Sequence, residues 1–128
     1  MPRPINTHRA PQPAGHYSQA VVSRGVVYVS GQLPIDPDTG TVIEGTAEEQ
    51  AERTISNVAA ILVAAGSGLD MVLSLTVYVL SRDDWEGVNA ACARRFGEYR
   101  PARAVVGGAE LKPGCRVEMS VIAAVREA

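Results

Sequence analysis

The stretch from Thr46 to Gly66 constrains the fold of this chain more than any other. Thr46 with Glu49 three residues on makes a capping box, and Glu48 and Glu49 suit the positive end of a helix. Ala51, Ile55, Val58, Leu62 and Ala65 then recur at three- and four-residue spacing. Gly66 fits the left-handed position that follows a helix C-terminus. The spacing predicts one helix of about twenty residues, roughly 30 Å long at ~1.5 Å per residue, with a single apolar stripe. That stripe has to be buried, and the flanking sequence supplies strands to bury it.

Ala20-Val21-Val22-Ser23 and Val26-Val27-Tyr28-Val29-Ser30, joined by Arg24-Gly25, read as a hairpin. Met71 to Leu80 alternates, with Leu73, Leu75, Val77 and Val79 on one face and Ser74, Thr76 and Tyr78 on the other. Asp83 with Glu86 caps a second helix whose apolar stripe is Trp85, Val88, Cys92, Phe96 and Tyr99, and Pro101 blocks it. Ala102 to Val106 reads as a strand that Gly107-Gly108 weakens. Arg116 to Val125 reads as the last strand, with Val117, Met119, Val121 and Ala123 on one face. Two helices cover only one face of such a sheet, which is an α+β layer. Tyr78, Ile122 and Ala124 would lie on the other face, which is semi-apolar, so another subunit is expected to cover it. Pro2, Pro4, Pro11 and Pro13 hold residues 1–16 extended as an arm, for which Ile5 and Tyr17 are the docking candidates. Residues 1–128 are read as a single domain.

Several function classes fall away. The formal net charge of −2 gives no field to attract a polyanion, so nucleic acid is not an expected partner. No run approaches the ~20 apolar residues of a membrane span, and Met1-Pro2-Arg3-Pro4-Ile5-Asn6 is unlike a signal peptide; the expectation is a cytoplasmic protein. Lys112 is the single lysine, which argues against lysine-bound cofactor chemistry. Cys92 and Cys115 sit in no metal-ligand or disulfide pattern. Asp36-x-Asp38-x-Gly40 lacks the acid that would close a calcium loop and reads as a Pro-Asp-Thr-Gly turn. Nucleophile-elbow, zincin and phosphate-loop motifs are absent, and Gly66-Ser67-Gly68 lacks what dinucleotide binding needs.

Two charges stand out. Arg103 opens a strand of Ala and Val, and Glu118 interrupts the apolar run of the last strand. Ionised groups in strands are costly to desolvate unless paired. Either the two form a mutual salt bridge or lie at a wet edge, or Arg103 grips a carboxylate while Glu118 moves protons. Ser30 alone is a strand-end hydroxyl, Asn89 an exposed helix position, and His8 and His16 solvated loop residues.

Together the pieces resemble the RidA family, also called YjgF or L-PSP, from about Ile5 to Ala123. Thr7-x-x-Ala10-Pro11 and Gly15-x-Tyr17-Ser18-Gln19-Ala20 resemble its N-terminal motif. Ser30-Gly31-Gln32-x-Pro34 followed by Gly40, then Asn57-Val58, Val88-Asn89, Pro101-Ala102-Arg103 and Val117-Glu118, follow in the family's order. The resemblance implies a chorismate-mutase-like α+β fold, a mixed sheet with two helices on one face, in a homotrimer with clefts between subunits. It implies hydrolysis of enamines and imines such as 2-aminoacrylate to 2-keto acids and ammonia, with no cofactor or metal.

In that chemistry Arg103 would hold the substrate carboxylate, and Glu118 would orient water or relay a proton. Tyr17, Ser30, Gly31, Asn89 and Val105 would shape the cleft, some of them from the neighbouring subunit. Beside Arg103, Glu118 is expected to have a lowered pKa. Val105 stands where the archetype has cysteine, His16 where proline is usual, Lys112 within the usual Leu-Pro, and Ser120 where a second acid is frequent. These departures suggest a side branch with its own preferred imine. Two other readings differ in class: a non-catalytic trimeric protein that binds or senses small carboxylates, and a ribonuclease. The second is disfavoured by the acidic balance and the lack of an aromatic RNA-binding motif.

Overall fold

The computed structural model describes residues 1–126. Ten elements follow in chain order: β1 (Arg3–Ile5), β2 (Ala20–Ser23), β3 (Val26–Gln32), β4 (Ile35–Asp36), β5 (Thr41–Val42), α1 (Ala47–Ala64), β6 (Val72–Val79), α2 (Trp85–Phe96), β7 (Ala102–Val106) and β8 (Val117–Ala124). Six strands form one sheet in the order β1-β2-β3-β8-β6-β7, and β4 and β5 pair separately. The β6–β7 pair is parallel and its neighbours are antiparallel, so the sheet is mixed. This is the expected α+β layer. Among the described residues no helix is long and apolar enough to cross a membrane.

Local chemistry explains each joint. Arg24 and Gly25 both take positive φ, 49° and 78°, the geometry that suits a two-residue hairpin between twisted strands. Asp36 turns the β4–β5 hairpin by accepting from the Asp38 amide at 2.8 Å, which makes this a turn rather than a cation loop. Thr46 and Glu49 close the capping box of α1 as the sequence predicts. Gly66 follows at φ 83°. The stripe Ala51, Ile55, Val58, Leu62 and Ala65 is buried throughout, meeting Val27, Val29, Leu75, Val77, Met119 and Val121 from the sheet.

Three expectations need correction. The second helix is not capped by Asp83 and Glu86; Ser81 and Asp84 form the capping box one turn earlier, and α2 begins at Trp85. Asp84 is buried and accepts from Arg116 Nη1 at 3.1 Å, tying the start of α2 to the residue before β8. Leu73 does not join Leu75, Val77 and Val79 inside, because the register shifts between Val72 and Ser74 and turns Leu73 outward. In the α2 stripe, Val88 and Cys92 are buried and Phe96 partly so, while Trp85 and Tyr99 are exposed.

The arm is held differently from expectation as well. β1 joins the sheet edge through β2, and Ile5 is buried, but Tyr17 is exposed and anchors nothing by its ring. Gln19 does the anchoring. Its side chain is 1% exposed, accepts from the Thr7 amide at 2.7 Å, and donates to the carbonyls of Thr7 at 3.0 Å and Pro11 at 2.9 Å. Gln19→Ala strips several buried partners at once and is expected to cost about 1–3 kcal/mol in chemical denaturation. Backbone amides of residues 5–12 should exchange faster in the variant; unchanged exchange would mean that the β1–β2 pairing and the buried Ile5 and Ala10 hold the arm without Gln19.

Candidate functional site

β7 is an edge strand, and its register places Arg103 opposite Leu75 of β6. Leu75 faces the helices, so Arg103 does too. Its Nη1 donates to Asn89 Oδ1 at 2.9 Å, and its guanidinium carbon lies 5.9 Å from the centre of the Trp85 ring. Trp85, Asn89 and Cys92 stand at i, i+4 and i+7 on α2, one side of the helix turned to one arginine. Burial raises the Cys92 thiol pKa, and the positive Arg103 beside it only partly opposes this. Cys92 therefore stays a thiol. Between α2 and β7 lies a cleft of about 580 Å3, whose lining includes Leu75, Asn89, Cys92, Phe96, Pro101 and Arg103. Val105 shares the helix-facing side of β7 but packs its side chain against the core, leaving its backbone as the part a ligand could reach.

Glu118 lies elsewhere. It pairs with Tyr78, on the sheet face away from the helices. Gly31 packs against it so closely that a Cβ there would lie 2.5 Å from Glu118 Oε2, so only glycine leaves the carboxylate its place. Ser30 donates through Oγ to the Ser18 carbonyl at 2.6 Å and through its amide to the Gln19 carbonyl at 2.9 Å. The end of the arm, with exposed Tyr17, is thereby set beside the start of the β3 irregularity that carries Gly31.

The candidate residues thus form two groups. Arg103, Asn89 and the cleft lie on the helix side of the edge strand; Tyr17, Ser30, Gly31 and Glu118 belong to the other side and the arm. β8 and β7 flank β6, so their axes are roughly 10 Å apart, and the two side chains leave opposite faces. Arg103 and Glu118 do not form a salt bridge. Nor is the Glu118 pKa lowered: burial pushes it above the usual carboxylate range. The expectation of a lowered pKa rests on a neighbouring arginine that the fold places elsewhere.

By its spacing Trp85 belongs to the buried stripe of α2, yet it stands exposed beside Arg103. Its signal was the spacing it shares with Asn89, four residues on. His8 and His16 are exposed, as expected for loop residues. Among the described residues there is no group of three or more His, Cys, Asp or Glu able to hold a metal ion.

Comparison with known proteins places this arrangement. The Endoribonuclease L-PSP family matches residues 7–125. The 2-iminobutanoate/2-iminopropanoate deaminase of Capra hircus is 39% identical over 121 residues, covering 94% of this chain and 88% of that protein. The structure of RidA from the Antarctic bacterium Psychrobacter sp. aligns with a TM-score of 0.91 at 38% identity, over 96% of this chain and 99% of that one. TdcF of E. coli, solved with bound serine, aligns with a TM-score of 0.91 at 32% identity, over 97% and 99%. Sequence and backbone agree over nearly the whole length, and the chain belongs to the RidA (YjgF, L-PSP) family.

Proposed function

We propose that this protein hydrolyses reactive enamines and imines of the 2-aminoacrylate type to 2-keto acids and ammonia, without a cofactor. The observation that carries the reading is the divided site. Arg103 stands at an open sheet edge with Nη1 engaged by Asn89, and Glu118, with a raised pKa, has no salt-bridge partner among the described residues on the uncovered face. Neither group is neutralised by the other, and each lacks the complement that the other would supply. In a homotrimer with clefts between subunits, the edge bearing Arg103 of one copy meets the face bearing Glu118 of the next. The uncovered face supports such packing, since Tyr28, Val106 and Ile122 are all substantially exposed there.

The chemistry asks little of the protein. Arg103 takes the substrate carboxylate in a planar fork, which fixes the imine carbon. Water adds to that carbon, the C=N electron pair moves to nitrogen, and Glu118 accepts the water's proton. Glu118 returns that proton to nitrogen to give the neutral carbinolamine. It then takes the hydroxyl proton and passes it to the same nitrogen as the C=O bond forms and the C–N bond breaks, so that ammonia departs. Imine and water are consumed; 2-keto acid and ammonia are produced. A carboxyl with a raised pKa suits both directions of this transfer.

A second reading, a non-catalytic trimeric protein that binds small carboxylates, draws support from the serine held by TdcF. One assay separates them. An amino-acid oxidase generates 2-imino acids, semicarbazide traps them, and the purified protein competes. Faster loss of imine than with Arg103→Ala is the expected result. No acceleration with any imine, from folded protein that binds 2-keto acids, would favour the binding reading.

A further inference from the structure

Trp85 has no reason to be where it is if its role is only to fill the core. The residue is 42% exposed, although it opens the helix whose next turn supplies the buried Val88. What it meets is the Arg103 guanidinium, 5.9 Å from the ring centre. We infer that Trp85 is a positioning residue that sets the plane of the Arg103 fork for a ligand carboxylate. The inference rests on the carboxylate-gripping role of Arg103 proposed above.

An arginine on an edge strand samples many rotamers, and a ligand that needs one of them loses affinity in selecting it. The hydrogen bond from Nη1 to Asn89 fixes one point of the guanidinium but leaves it free to swing about that bond. An aromatic face fixes the plane, because the flat, delocalised cation is attracted to the ring's electron-rich face. Two constraints from residues four apart on α2 define the orientation; either alone does not. The fork is then preorganised on the side of the cleft, with its remaining N–H groups free for two carboxylate oxygens.

Trp85 is the single tryptophan of the chain, so its fluorescence reports on this contact without labelling. The test uses the full chain and 2-oxobutanoate as the probe. Saturating probe is expected to shift Trp85 emission in the wild type and not in Arg103→Ala. By calorimetry, Trp85→Leu should weaken probe binding roughly three- to tenfold, the range for a partly desolvated cation over a ring, while Trp85→Phe stays within about twofold. In the imine assay Trp85→Leu should raise KM more than it lowers kcat. A leucine variant that binds like the wild type, or emission unmoved by a probe that calorimetry shows bound, overturns the inference and leaves the Arg103 assignment standing. A wild-type protein that neither binds 2-oxobutanoate nor hydrolyses imines overturns the proposed function, and this inference falls with it.

Discussion

Arg103→Ala is expected to lower kcat/KM for 2-imino acids by about 10²–10⁴-fold while leaving the protein folded. Two hydrogen bonds to a charged partner are lost, and each is worth roughly one to two powers of ten. The fold should survive because Arg103 is exposed on an edge strand and, among the described residues, its side chain reaches only the α2 residues Trp85, Asn89 and Cys92. Arg103→Lys is not expected to restore activity, since an ammonium offers neither the fork nor the flat face that Trp85 meets. Steady-state kinetics on both variants, with thermal melting as the check on folding, decide this. Turnover retained in the alanine variant would remove Arg103 from the substrate.

Glu118→Gln separates chemistry from binding. It is expected to lower kcat by about 10²–10⁴-fold, the usual share of a general acid–base group, with 2-keto acid affinity little changed. Wild-type activity should rise with pH through the raised Glu118 pKa, so the acid limb lies above that of an ordinary glutamate. The glutamine variant should lose that limb. Stability runs the other way. A carboxyl whose folded pKa exceeds its unfolded value favours the native state below the unfolded pKa, and that contribution is lost as pH rises through the folded pKa. Near neutrality the variant should be at least as stable as the wild type, and the difference should vanish in acid. A variant with normal kcat would reduce Glu118 to packing against Gly31.

How much of this was legible in the sequence differed by scale. α1 was readable because its cap, stripe and terminal glycine are local signals that agree. The strand runs and the layer with two helices on one face followed from alternation and chain order, whereas the parallel pairing of β6 with β7 is seen only in the structure. Leu73 was misplaced because alternation assumes an unbroken ladder, and a one-residue register shift inverts a side chain without leaving a mark in composition. The cap of α2 was misplaced because Ser81, Asp83, Asp84 and Glu86 offer competing pairs, and the buried bond from Arg116 to Asp84 chooses among them from 32 residues away.

At the site, residue identity was legible and arrangement was not. Arg103 and Glu118 stood out as charges in apolar strands, but nothing local says that one lies at an edge and the other on the far face. That follows from strand order, which pairs β8 with β3 and β6 and sends β7 outside. The error in the expected Glu118 pKa is the same error: proximity was assumed where the sheet provides separation. Trp85 was absorbed into the stripe because an aromatic at helical spacing reads as core until its neighbour across the groove is known.

The central position of β8 also orders events as the chain emerges from the ribosome. Its partners are β3, begun at Val26, and β6, begun at Val72, which do not pair with each other. Until residues 117–124 are delivered, the β1–β2–β3 meander and the β6–β7 pair share no strand pairing and leave their facing edges open. Each nascent chain therefore carries open, β-branched edges through most of its synthesis, and closes them in one late, long-range step. The same insertion brings Glu118 to Gly31, so a nascent chain has no assembled second half of the site until the sheet itself is whole.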